Sequence, residues 1–158
     1  MTQAVFARWN LTLDTESTRR AFSQIDIGSP ESCGCTPCLN FAAQRQTTFP
    51  EPVRAFMTSA GIPIDREAEI YHNCRLESGL HSYGGWFHFV GKLTSGADAL
   101  VALDETTGTF DLHDFGAGLQ VGISTKTALV NTAFDSHNVL QLEFAAEIPW
   151  TIDAEEVT

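Results

Sequence analysis

Apolar and polar residues alternate near the start of the chain. Val5, Ala7, Trp9, Leu11 and Leu13 fall on one side, and Phe6, Arg8, Asn10 and Thr12 on the other. This period of two predicts a strand with one apolar face. Asp14 to Arg20 suits a short helix or a turn. Ile27 to Cys38 is rich in Gly, Ser, Pro and Cys and predicts a loop. Thr36-Pro37 then opens a helix, because threonine is a good N-cap and proline fits the first helical position. That helix runs through Leu39, Phe41, Ala42 and Ala43 to about Gln46, and Phe49-Pro50 breaks it. A second helix starts near Glu51-Pro52, carries Val53, Phe56, Met57 and Ala60 at helical spacing, and ends at Gly61 and Pro63. The tight connection predicts that the two pack as a helical hairpin.

From Glu67 the period returns to two. Ile70, His72, Cys74 and Leu76 are expected on one face, with Tyr71, Asn73 and Arg75 on the other. After a turn at Ser78-Gly79, His81 to Leu93 predicts a long aromatic strand. Gly84-Gly85 within it suggests a bulge or a close backbone approach. Short strands follow at Leu100 to Leu103, Phe110 to Phe115 and Leu119 to Ile123. In the final strand, Val139 to Ile148, Leu140, Leu142 and Phe144 oppose Gln141 and Glu143, and Pro149 stops it. Strands joined by short turns predict an antiparallel meander. The expected fold is therefore α+β: one domain over residues 1–158, a helical hairpin packed on a largely antiparallel β-sheet. The acidic tail from about residue 152 is expected to fray.

Length and composition are consistent with one domain that needs no disulfide or metal to fold. Charge narrows the partners. Twenty acidic residues against nine basic ones give −11. Nucleic acid and anionic membrane surfaces, which need Lys and Arg to meet phosphate, are disfavoured. The first residues lack a basic segment followed by an apolar run, and no window holds eighteen apolar residues. The expectation is a cytoplasmic protein, where structural disulfides are disfavoured. A homodimer is an expected assembly, since two-fold dimers are the commonest oligomers.

Candidate chemistry concentrates in Cys33-Gly34-Cys35-Thr36-Pro37-Cys38. The first reading is zinc: Cys33, Cys35 and Cys38 supply three thiolates, and Cys74, or alternatively His72 or His81, supplies the fourth ligand. The second is redox: Cys35-Thr36-Pro37-Cys38 at a helix start resembles the active-site motif of thioredoxin-like oxidoreductases. A helix N-terminus lowers a thiol's pKa. That resemblance covers four residues, and no βαβ unit surrounds them. The third is three free, partly buried cysteines with no task.

Gly79 to Leu93 is the other dense feature. A strand buried on both faces, with His88 hydrogen-bonded in the core, accounts for it. The functional alternative makes Tyr83, Trp86 and His88 the walls of a pocket. Glu67 and Glu69 suit a solvated edge better than a catalytic pair. His113 and His137 have loop-like neighbours and are expected in solvent. No P-loop, dinucleotide fingerprint, nucleophile elbow or H-E-x-x-H occurs.

Taken together, CGCTPCLNF, SYGGWFHFVG and LEFAAEIPW resemble a family of uncharacterised bacterial proteins with a Cys-x-Cys-x-x-Cys-x-Asn-Phe segment and a Tyr-x-Gly-Trp-Phe-His-Phe strand. The matching positions are Cys33, Cys35, Cys38, Asn40 and Phe41, then Tyr83, Gly85, Trp86, Phe87, His88 and Phe89. The resemblance runs from about Cys33 to Trp150. It implies a shared fold and lends no activity. The sequence thus points to a small non-catalytic binding or interaction domain with a structural zinc site. The alternative is a thiol-based redox or zinc-dependent enzyme acting beside a Trp86/His88 pocket.

Overall fold

The alternating N-terminal stretch folds not as one strand but as a hairpin of β1 (Thr2–Phe6) and β2 (Trp9–Leu13) in the computed structural model, which describes all 158 residues. Phe6 pairs with Trp9 across a two-residue turn, and Ala7 there takes φ 51°. The turn keeps Trp9, Leu11 and Leu13 buried and leaves Val5 exposed. Five short helices follow: α1 (Thr15–Phe22), α2 (Ser29–Cys33), α3 (Thr36–Ala42), α4 (Arg45–Thr48) and α5 (Glu51–Ala60). Then come β3 (Glu69–Arg75), β4 (His81–Ser95), β5 (Leu100–Ala102), β6 (Gly108–Phe110), β7 (His113–Asp114), β8 (Leu119–Ser124) and β9 (Val139–Ile148). The fold is α+β, with helices packed on an antiparallel sheet. The two helices expected from the sequence form as α3 and α5, with α4 between them.

β4 organises the sheet. One edge pairs with β3 along its first half and with β2 along its second; the other edge pairs with β9. The sheet order is β1-β2-β4-β9-β8-β7, so the last strand lies between β4 and β8 and interrupts the simple meander. β5 and β6 form a separate hairpin. Paired residues share a face. Phe87, Phe89, Leu140, Leu142, Phe144, Val121 and Ile123 therefore line one side, and all are buried. The helices lay aromatic rings on that side. Phe41 stacks on Phe144 at 5.7 Å, Phe49 meets Phe144 edge-on at 5.1 Å, and Phe56 meets Phe89 at 5.8 Å. Each fully buried ring contributes about 1.5–3 kcal/mol.

The opposite side of β4 is buried at His88 and half-buried at Trp86. Trp86 pairs with Glu143 and His88 with Gln141. Glu143 and Gln141 are nevertheless sealed, so this face carries a buried polar row rather than a solvated one. The Gly84-Gly85 step is a close approach and not a bulge: register runs unbroken against β9, and a side chain at Gly84 would collide with the Tyr71 ring. The acidic tail contacts β3 and β4. Glu156 accepts from Arg75 Nε at 3.0 Å and bonds His81 Nε2 at 2.7 Å, while the Arg75 backbone N–H donates to the Thr158 carbonyl. No helix is long and apolar enough to cross a membrane.

Candidate metal centre and adjoining cleft

The cysteine loop is shaped by two short helices that meet end to end. Ser29-Pro30-Glu31-Ser32-Cys33 forms the single turn α2 where a loop was expected. Gly34 ends it at φ 71°, a left-handed conformation that glycine adopts without a Cβ clash. Cys35 is extended and caps α3, and its carbonyl accepts from the Leu39 N–H at 2.9 Å. The N-cap is therefore Cys35 rather than Thr36, and Cys38 sits in the first turn. These three backbone states turn the side chains inward. The sulfurs of Cys33, Cys35 and Cys38 lie within 4.8 Å of one another. Thiolates bonded at ~2.3 Å to a tetrahedral ion stand about 3.8 Å apart. Closing the group onto a metal thus needs side-chain adjustment of about 1 Å at most.

Burial divides the three thiols. Cys33 and Cys35 are exposed and Cys38 is buried. The Cys35 backbone N–H, then the thiols of Cys35 and Cys38, hold Cys33 below the ordinary thiol range. Burial first, then the two neighbouring thiols, pushes Cys38 far up. A bound cation would reverse the second effect, because a metal replaces the thiol proton.

The loop is braced from behind. Tyr83 donates its hydroxyl to the Pro37 carbonyl at 2.8 Å. Asn40 donates to the Tyr83 oxygen at 3.2 Å and to the Pro149 carbonyl at 3.1 Å, and its Oδ1 accepts from the Thr151 N–H at 2.8 Å. One buried amide thus ties α3 to β4 and to the segment after β9. Arg45 fixes α2. Its Nε and Nη2 reach the two oxygens of Glu67 at 2.7 and 3.0 Å, and it also bonds Glu31. Burial works against the Arg45 charge, but the bonds to Glu67 and Glu31 outweigh it and raise its pKa. Glu67 is 3% exposed, so the solvated edge expected there does not form. Glu69 instead accepts from the Ser29 hydroxyl at 3.0 Å.

The three candidates for a fourth ligand stand outside the sulfur group. A β-bulge explains Cys74. His72 pairs with Tyr83 while Cys74 pairs with Ser82, so two residues of β3 advance against one of β4. That step takes Cys74 to the Ser82 face, where it is exposed, and parts it from His72. The shared face expected from period two is lost. His72 and His81 are engaged with each other: His72 Nε2 lies 2.9 Å from His81 Nδ1. His81 is fully buried and continues to Glu156. Burial and the nearby His81 keep the His72 pKa below its ordinary value.

Tyr83, Trp86 and His88 do not wall a common pocket. Tyr83 faces the helices, and Trp86 and His88 face the other way. His88 is hydrogen-bonded inside the protein, with its Nε2 3.2 Å from Gln141 Oε1. Its ring also lines a cleft of about 580 Å³, with Phe22, Glu67, Glu69, Phe134 and Cys33. Sequence reasoning missed this cleft, because its walls come from four separate segments. His113 and His137 are exposed, as expected. No protein-family model, no curated protein and no solved structure matches this chain.

Proposed function

We propose that this chain is a small non-catalytic binding domain whose Cys33, Cys35 and Cys38 hold a soft metal ion, zinc first. The observation that carries the reading is the convergence of three sulfurs within 4.8 Å on a loop whose backbone is fixed on both sides. Thiolates select zinc or copper(I) over hard cations. The fourth position falls to water or an outside donor, since Cys74, His72 and His81 are turned elsewhere. A reducing compartment such as the cytoplasm keeps the thiols free for a metal. Metal analysis of protein purified without chelator tests the reading. One equivalent per chain, lost in Cys38→Ser, is expected. Protein that neither retains nor takes up zinc contradicts it.

A second reading rests on the split between Cys33 and Cys38. An exposed thiol of lowered pKa beside a buried one of raised pKa suits a nucleophile and a resolving partner. Metal-free protein that cycles between a Cys33–Cys38 disulfide and dithiol would favour it.

A further inference from the structure

Strand β1 leaves one row of backbone groups without partners. In a hairpin with a two-residue turn, the pair next to the turn exchanges both backbone hydrogen bonds, and bonded pairs then alternate with unbonded ones. Phe6 and Trp9 are that pair. Phe6, Ala4 and Thr2 therefore bond to β2, while the N–H and C=O of Gln3 and Val5 point away from it. β1 is the outermost strand of the sheet, so nothing in the sheet meets them. None of the backbone bonds made outside the helices and strand ladders involves Gln3 or Val5. The Val5 side chain is 74% exposed.

The other strand edges are short or covered. β7 has two residues, and β5 and β6 have three each. Along β3, the Ile70 N–H is taken by the Ser29 and Glu69 side chains, and the Arg75 N–H by the Thr158 carbonyl. Shortness, covers, lysine, proline and bulges are the usual means of keeping an edge from pairing. β1, Thr-Gln-Ala-Val-Phe, has none of them: it is five uncharged residues in unbroken register with β2.

Two features commit this edge to a second copy of the chain. The first is geometry. With a two-fold axis at Ala4, Gln3 faces Val5 of the second copy and Val5 faces its Gln3, and every outward N–H and C=O of both residues gains a partner. Ala4 then meets its own copy at an unbonded pair, where side chains stand closest and a methyl group fits. The second is charge. All twenty acidic residues fall from Asp14 onward, and the β1–β2 hairpin carries only Arg8. Two chains of net charge −11 repel over most of their surfaces and least along this edge. We infer that β1 is a dimerisation edge, on which two copies pair antiparallel about Ala4 and join their sheets into one.

Light scattering of the full chain from micromolar to millimolar concentration tests the inference, together with amide exchange followed by NMR. A dimer is expected, with the Gln3 and Val5 amides protected only where it forms. Two double variants at these exposed positions separate this edge from any other surface. Gln3→Glu with Val5→Lys sets opposite charges across both bonded pairs, and Gln3→Lys with Val5→Lys sets like charges there. The second should dimerise at least about tenfold more weakly than the first, although it lowers the net charge. Val5→Pro removes an outward N–H and no bond to β2, and should also weaken the dimer. A chain that stays monomeric at millimolar concentration leaves the edge to a strand of another protein and overturns the inference. So does a dimer in which Gln3 and Val5 exchange freely, or one equally strong in both double variants. None of these outcomes depends on metal content.

Discussion

Glu143 offers the sharpest test of the buried polar row. It lies on β9 opposite Trp86, is 2% exposed, and accepts one hydrogen bond, from Gln141 at 2.7 Å. No cation faces it. Burial raises its pKa from 4.5 to about 7. The unfolded chain releases this proton near 4.5, and the native state keeps it to about 7. Between these values the native state binds more protons, so its extra stability is complete below 4.5 and declines as pH rises through 7. At about 1.4 kcal/mol per pH unit, the interval is worth about 3 kcal/mol. Glu143→Gln keeps the acceptor for Gln141 and removes the charge. Urea unfolding of both proteins at about pH 5 and about pH 8 measures the effect, since all other titrations cancel in the difference. The stability gap should be below about 1 kcal/mol at the lower pH. It should grow to about 3 kcal/mol in favour of the variant at the higher one. A gap that stays constant with pH would refute the burial of an ionisable Glu143.

Two further predictions concern the frame of the cysteine loop. Arg45→Met leaves Glu67 buried without its bidentate partner, and should cost about 3–5 kcal/mol in chemical denaturation. A loss below about 1 kcal/mol would mean that the pair is solvated in solution. In metal-free protein near neutral pH, iodoacetamide should modify Cys33 first among the three and Cys38 last, because exposure and pKa run the same way. Peptide mapping of a time course checks the order, and early labelling of Cys38 would contradict it.

The strands were legible because burial imposes its period on them. β4 and β9 carry alternating or continuous apolar residues, and the sequence limits match the observed ones to within a few positions. Helix α3 was legible from Thr36-Pro37, although the cap falls one residue earlier. Helix α2 was not, since a single turn with proline near its start has the composition of a loop. Its order comes from distant partners, Arg45 and Glu69. The bulge at Cys74 left no local signal, because Asn73 and Cys74 suit either side of a strand. The burial of Glu67, Gln141 and Glu143 depends on what covers them, and period two assigns a face without saying whether that face meets water. The tail anchor was hidden for the same reason: an acidic terminus looks alike whether or not a histidine awaits Glu156. The cysteine cluster itself was visible from spacing, while its missing fourth protein ligand needed the register of β3.

X-ray absorption at the zinc edge, on protein loaded with one equivalent, tests the central claim most directly. The account predicts a first shell of three sulfurs at about 2.3 Å with one lighter donor, and loss of one sulfur in Cys38→Ser. A shell of oxygen and nitrogen alone, or one unchanged in the variant, would contradict it.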